Sequence, residues 1–211
     1  MIAPETRARD ALGFRQRGER TTRLEAFIDA AFAACFWLLA TFWRGHVDWS
    51  ERFGLDDAHG RRWSLMLVFL VLIFVYPLKI VFSVFFAWIS GEALPAQFSF
   101  RDMDDVQLMF QMFAVAFGSM GAVLFVLNRQ AWRQREALAL DALEVDALRL
   151  VLRLWVLLPA FALLSIALSF WEASLRYGAP GMIFFVMHAV QTVLRARHRR
   201  RLTAALASSA A

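Results

Sequence analysis

The sequence predicts an all-α integral membrane protein, a polytopic helical bundle with about five hydrophobic helices. Of its 211 residues, 60% are hydrophobic and 15% are aromatic, a composition typical of membrane proteins. The charged residues are confined to short blocks. The apolar stretches between those blocks reach the roughly 20 residues that a helix needs to cross the hydrocarbon core of a bilayer.

The chain divides into a basic arm, a transmembrane region and a basic tail. Residues 1–22 contain neither an apolar core nor a small-residue cleavage site, so we expect a cytoplasmic arm and not a secretory signal. The transmembrane domain is predicted over 23–195, and 196–211 is predicted to form a basic cytoplasmic tail. The single cysteine, Cys35, excludes an internal disulfide and a cysteine-based metal site.

Five hydrophobic segments are predicted within the transmembrane domain. Four of them satisfy the required length easily: 63–90, 106–128, 149–171 and 179–195, the last being the shortest. The first segment, 24–43, reaches that length only if Glu25 and Asp29 are included. We interpret 44–62 as a polar connector, and 135–150 as an amphipathic cytoplasmic helix that lies on the membrane surface or against a partner subunit.

The distribution of arginine predicts the orientation of the segments. The basic residues concentrate in the arm, the first connector, the third connector and the tail, whereas the second and fourth connectors contain only Arg101 and Arg176. Because basic loops stay in the cytoplasm, the last four segments fit a topology that alternates across the membrane. A single crossing by 24–43 fits badly, so two alternatives stay open: this segment spans, or it is re-entrant or tilted at the interface.

The charges at the start of the first segment require partners. Glu25 and Asp29 lie four residues apart on one helical face and repel each other unless a cation intervenes. Arg23 cannot reach Asp29 along that face. Lys79, more than ten residues from either end of 63–90, is a candidate partner. The alternative is that Asp29 marks the start of the helix and Lys79 belongs to a packed structural ion pair.

The stretch "RLEAFIDAAFA" resembles the Arg-x-x-x-Phe-Ser-Asp signature of the transmembrane protein 175 family, which are bacterial and endolysosomal potassium channels. Arg23, Phe27 and Asp29 match this signature, and Ile28 replaces its serine. Later stretches, such as "LVFLVLIFVYPLKIVF", look like the third to sixth helices of the family. The resemblance implies six helices and cytoplasmic termini, so the chain is expected to lack the second helix, which 44–62 cannot replace.

The resemblance also implies a potassium-permeable cation channel, a homotetramer with the first helix lining a pore on the central axis. Arg23, Phe27 and Asp29 are the expected signature network that holds this helix in place. The candidate pore-lining residues at helical spacing are Ala34, Trp37, Leu38 and Thr41. A ring of tryptophans would close or reshape the passage, since apolar constrictions exclude water. Ordinary helix packing explains the same pattern, and the alternative function is a non-conducting membrane scaffold or regulatory subunit.

Other classes of function and partner are not expected. The chain has no metal-ligand spacing, nucleophile elbow or glycine-rich phosphate loop, so we predict neither an enzyme nor a bound cofactor. K⁺ is expected only as the permeant ion. The tail "RARHRRRL" is expected to bind anionic lipid headgroups and not nucleic acid. The small residues of "FGSMGA" predict close approach of another helix. The expected location is the bacterial cytoplasmic membrane.

Overall fold

The computed structural model describes residues 39–55, 57–90 and 102–209, and these are helical with no strand. The helices are α1 (39–53), α2 (Ala58–Ile89), α3 (Met103–Arg133), α4 (Ala142–Ser169), α5 (Glu172–Arg176) and α6 (Ala179–Ser209). Stretches of α2, α3, α4 and α6 are long and apolar enough to cross a membrane. The prediction of an all-α integral membrane protein is therefore confirmed.

Helix α3 forms the centre of the bundle and packs against α2 and α4, while α4 also packs against α6. Half of the residues in the most apolar stretch of α3 are buried, compared with 11% in that of α2. Met120, Leu124 and Leu127 of α3 are completely buried at the centre of the hydrophobic core. The flanking helices therefore leave most of their apolar surface exposed.

Small residues allow α3 and α4 to pack closely. A Cβ atom added at Gly118 would lie 2.7 Å from the Cβ of Ala162, and one added at Gly121 would lie 2.5 Å from the Cβ of Leu158. Both distances are shorter than atoms tolerate, so only glycine fits this seam. The close helix approach predicted from "FGSMGA" is confirmed.

The predicted amphipathic helix over 135–150 is wrong in its first half. Residues 134–139 form turns, in which Ala139 has a positive φ of 50°. Helix α4 starts only after Asp141, whose side chain accepts from the backbone N–H of Glu144 while the Glu144 side chain accepts from the backbone N–H of Asp141. This capping box satisfies both backbone donors and fixes the start of the helix.

The interpretation of 44–62 as a polar connector is also wrong. Helix α1 continues to residue 53, and α2 starts at Ala58, so the turn between them is short. Gly54, with a φ of +57°, follows the last helical residue of α1. The Asp57 carboxylate accepts from the backbone N–H of Gly60 at 2.7 Å in the first turn of α2. Gly54 is suited to this turn because it has no Cβ to oppose a positive φ.

Candidate pore-lining segment and its anchor

One face of α1 is anchored in the bundle by aromatic side chains. Phe42 and Trp49 are 1% and 3% exposed and lie about two helical turns apart. The Phe42 ring contacts Phe117 of α3 edge-on, with centroids 5.5 Å apart, and lies 6.2 Å from the ring of Trp155 in α4. Phe42 therefore joins α1 to both α3 and α4.

Gly45 lies between these two aromatic residues, where α1 meets α4. A Cβ atom there would lie 2.4 Å from Cζ2 of Trp155 and 3.2 Å from Cδ1 of Leu124. A larger residue would therefore push the Trp155 indole away from the helix. The absence of a side chain allows the indole to pack directly against the backbone of α1.

Polar groups complete this attachment. The Trp49 indole N–H donates a buried hydrogen bond of 2.9 Å to the backbone carbonyl of Leu127 in α3. His46 Nε2 lies 2.8 Å from the hydroxyl oxygen of Ser64 in α2, within hydrogen-bonding distance. We call Phe42, Gly45, His46 and Trp49 the α1 anchor. The anchor holds α1 against three helices at once.

The opposite face of α1 carries polar side chains that leave the bundle. Its members follow each other at intervals of three or four residues, which places them on one face: Thr41, Arg44, Asp48 and Glu51. We call this set the polar stripe. Asp48 forms a surface ion pair of 3.0 Å with Arg52, whereas Glu51 is exposed and outside that pair. The stripe continues the helical spacing of the predicted pore line, which includes Thr41.

Helix α1 runs parallel to the second half of α3. Phe42 lies beside Phe117, and Trp49 bonds the carbonyl of Leu127, so both helices progress in the same direction. The 15 described residues of α1 span about 22 Å. The described part of the first segment therefore lies in the half of the bundle where α3 ends.

Most of the arginines among the described residues lie at that same end of the bundle. Gln130 of α3 donates to Asp57 at 2.7 Å, Arg149 lies over the ring of Trp132, and His198 of α6 contacts Asp146. These contacts bring together the α1–α2 turn, the α3–α4 turn and the C-terminal part of α6. We call this the basic end. The distribution of arginine in the sequence predicted that the basic first connector, third connector and tail lie on one side of the membrane, and the basic end brings these three regions together.

Asp57 links the α1–α2 turn to α3 at the basic end. Its two carboxylate oxygens accept from the backbone N–H of Gly60 and from the side-chain amide of Gln130, each at 2.7 Å. The hydrogen bond from Gly60, followed by that from Gln130, lowers the pKa of Asp57 below its ordinary value of 3.8. Both bonds favour the ionised form of the carboxylate.

The structure describes only part of the predicted site. Thr41 is exposed on α1, and Lys79 is half-buried in α2 beside the fully buried Leu78. Within the described residues no three His, Cys, Asp or Glu side chains form a group that could hold a metal ion. The remaining predicted residues lie outside the described part of the chain, and their roles stay predictions: Arg23, Phe27, Asp29, Ala34, Trp37 and Leu38.

The α1 anchor was missed because Arg44 was taken as the end of the hydrophobic segment. A signal for it was present, since Phe42, His46, Trp49 and Phe53 recur at helical spacing through the charged stretch. Aromatic residues on one face of a charged helix indicate packing on that face. If this aromatic spacing is followed past Arg44, the predicted first helix becomes about three turns longer.

Comparison with known proteins supports the fold. No family model matches the chain, and no curated protein matches it either. A solved structure of the potassium channel MtTMEM175, a variant in complex with a nanobody–MBP fusion protein, matches with a TM-score of 0.64 and 19% identity. The match covers 87% of this chain and 96% of that chain. The protein is thus similar to MtTMEM175 in fold, which agrees with the resemblance found in the sequence.

Proposed function

We propose that the protein is a homo-oligomeric cation channel, permeable to potassium, with a pore lined by the first hydrophobic segment. The observation that carries this proposal is the division of α1 into a buried anchor and an exposed polar stripe. Charged side chains on a helix that packs against membrane-spanning helices usually face water or a protein partner and not lipid. If copies of the chain are arranged around a common axis, the polar stripe of every copy faces the same water-filled passage. The fold of the potassium channel MtTMEM175 supports this arrangement.

In such an oligomer the polar stripe forms the mouth of the pore at the basic end. Rings of Glu51 and Asp48 carboxylates raise the local concentration of cations, as in other cation-selective pores. Arg44 and Arg52 oppose this effect, and the ion pair between Asp48 and Arg52 neutralises part of it. The exposed Glu51 is therefore the carboxylate that contributes most to cation attraction.

The narrow part of the proposed pore lies earlier in the first segment. Ala34 provides little bulk, so Trp37 is the side chain that restricts the passage in this proposal. Thr41 follows at helical spacing and offers a hydroxyl between this constriction and the charged mouth. Arg23, Phe27 and Asp29 hold the segment in register with its neighbours. The permeant ion needs no bound cofactor.

Potassium and sodium flux through the purified protein in liposomes tests this function. We expect selective potassium flux from the native chain, more flux from Trp37→Ala because the constriction is removed, and none from Asp29→Ala because the segment loses its support. The Asp29→Ala oligomer should also dissociate more readily in size-exclusion chromatography.

Leu163→Ala is the matched control, because Leu163 is an exposed apolar residue of α4. Its flux should equal that of the native protein. An absence of flux from every variant, with an intact native oligomer, would overturn the channel and favour a non-conducting scaffold or regulatory subunit. Unchanged flux and assembly in Asp29→Ala would exclude the signature network as the support of the pore.

A further inference from the structure

A second polar feature of the basic end is a cleft between α4 and α6. It has a volume of about 150 Å³ and carries arginines from both helices. Arg149 and Arg153 lie one turn apart on α4, and Arg197 and Arg201 lie one turn apart on α6. No residue of α1 lines this cleft, so it is distinct from the polar stripe.

The described residues do not balance the charge of the cleft. Asp146 is its only acidic lining residue, and His198 Nδ1 lies 3.3 Å from the Asp146 carboxylate. Within the described residues none of the four arginines forms an ion pair with a carboxylate. Like charges one turn apart on a helix repel each other, so two such pairs facing one cleft favour a bound anion.

Part of the cleft is fixed in place by its surroundings. The guanidinium of Arg149 lies 5.3 Å from the ring centroid of Trp132, a cation–π contact that orients it without neutralising it. Leu150 and Leu194 supply apolar lining beside the arginines. An arginine cluster with an apolar border matches a phosphate group joined to an apolar body, because guanidinium forks bind phosphate oxygens in pairs.

We propose that the α4–α6 cleft binds a phosphate-bearing anion through Arg149, Arg153, Arg197 and Arg201. The two sources of such a group are the headgroup of an anionic lipid and a soluble phosphate. The site differs from general attraction of the basic tail to the membrane, because half of its arginines belong to α4 and the others form one face of α6. Arg195 and Arg199 lie on the same helix but do not line the cleft.

Binding to the full-length protein in detergent micelles tests this proposal by calorimetry. The probes are dioctanoyl phosphatidylglycerol, dioctanoyl phosphatidylcholine and inorganic pyrophosphate. Two cleft variants, Arg149→Gln/Arg153→Gln and Arg197→Gln/Arg201→Gln, should each weaken anion binding roughly tenfold or more. The matched control Arg195→Gln/Arg199→Gln removes the same charge from α6 and should change the affinity by less than about threefold.

The probes distinguish the two sources of the anion. Saturable binding of phosphatidylglycerol alone, lost in the cleft variants, identifies a lipid headgroup, and binding of pyrophosphate with the same dependence identifies a soluble phosphate. Binding that falls equally in the control variant, or no binding of either anion by the native protein, overturns the proposal. Because both arginines of the α6 pair are exposed, their variant keeps the test valid if the α4 variant fails to fold.

Discussion

Helices α1 and α2 both pack against α3, but their exposed faces differ in chemistry. After Arg62 the described exposed side chains of α2 are apolar or aromatic, and they include Leu65, Phe69, Leu72 and Tyr76. On α1 the exposed stripe contains a hydroxyl, an arginine and two carboxylates. The apolar exposed face of α2 can contact lipid without a free-energy penalty, whereas the polar stripe of α1 requires water or another polar surface. The comparison separates a helix whose exposed face is compatible with lipid from one whose exposed face is polar and charged.

The largest expected effect concerns the α1 anchor. Trp49→Ala removes a 3%-exposed indole and its hydrogen bond to Leu127, so it should lower the free energy of unfolding by about 3–5 kcal/mol. Trp43→Ala, on the same helix, is the matched control because Trp43 is 62% exposed. Thermal unfolding in detergent measures both variants. Equal destabilisation by the two would mean that α1 is not held by one face.

The next effect concerns the contact between Gly45 and Trp155. Gly45→Ala places a methyl group against the indole and should cost about 1–3 kcal/mol, which thermal unfolding will also measure. Adding Trp155→Phe removes the ring atoms that clash, so the double variant should be less destabilised than the sum of the single variants. A simple sum would show that the indole does not lie against this glycine.

The comparison of exposed faces predicts a smaller, functional effect. Glu51→Lys reverses a charge on the polar stripe and should reduce potassium flux about threefold, because the mouth attracts fewer cations. Glu172→Lys makes the same reversal on the exposed side of α5, and Leu72→Ala alters the apolar face of α2. Liposome flux should be unchanged in both controls. Flux that is insensitive to Glu51→Lys would remove the stripe from the proposed pore.

The smallest effect is a pH dependence from Asp57. Because its pKa is lowered in the folded protein, ionised Asp57 adds stability above its ordinary pKa of 3.8, and this stability is lost as the pH falls through the lowered value. The melting temperature of the native chain should therefore exceed that of Asp57→Asn at pH 7, and the two should converge in acid. Glu136→Gln, at an exposed position, should show no such difference.

Much of the membrane architecture could be predicted from the sequence, because it depends on local properties. The length of an apolar run sets whether a helix can cross the bilayer, and α2, α3, α4 and α6 each contain such a run. The small residues Gly118 and Gly121 likewise predicted a close contact between helices, since only small side chains allow two helix backbones to approach this closely. The signature that resembles a potassium-channel family agreed with the fold found by comparison.

The role of α1 was decided only by the tertiary structure. A local reading ended the first segment at the charge of Arg44, because hydropathy does not show which side of a helix will be covered. Burial of Trp49 depends on the carbonyl of Leu127, which lies 78 residues away in the chain. The sequence by itself determined which segments suit a membrane, because that depends on local composition. The packing of distant residues decided which face of α1 joins the bundle and which face stays exposed.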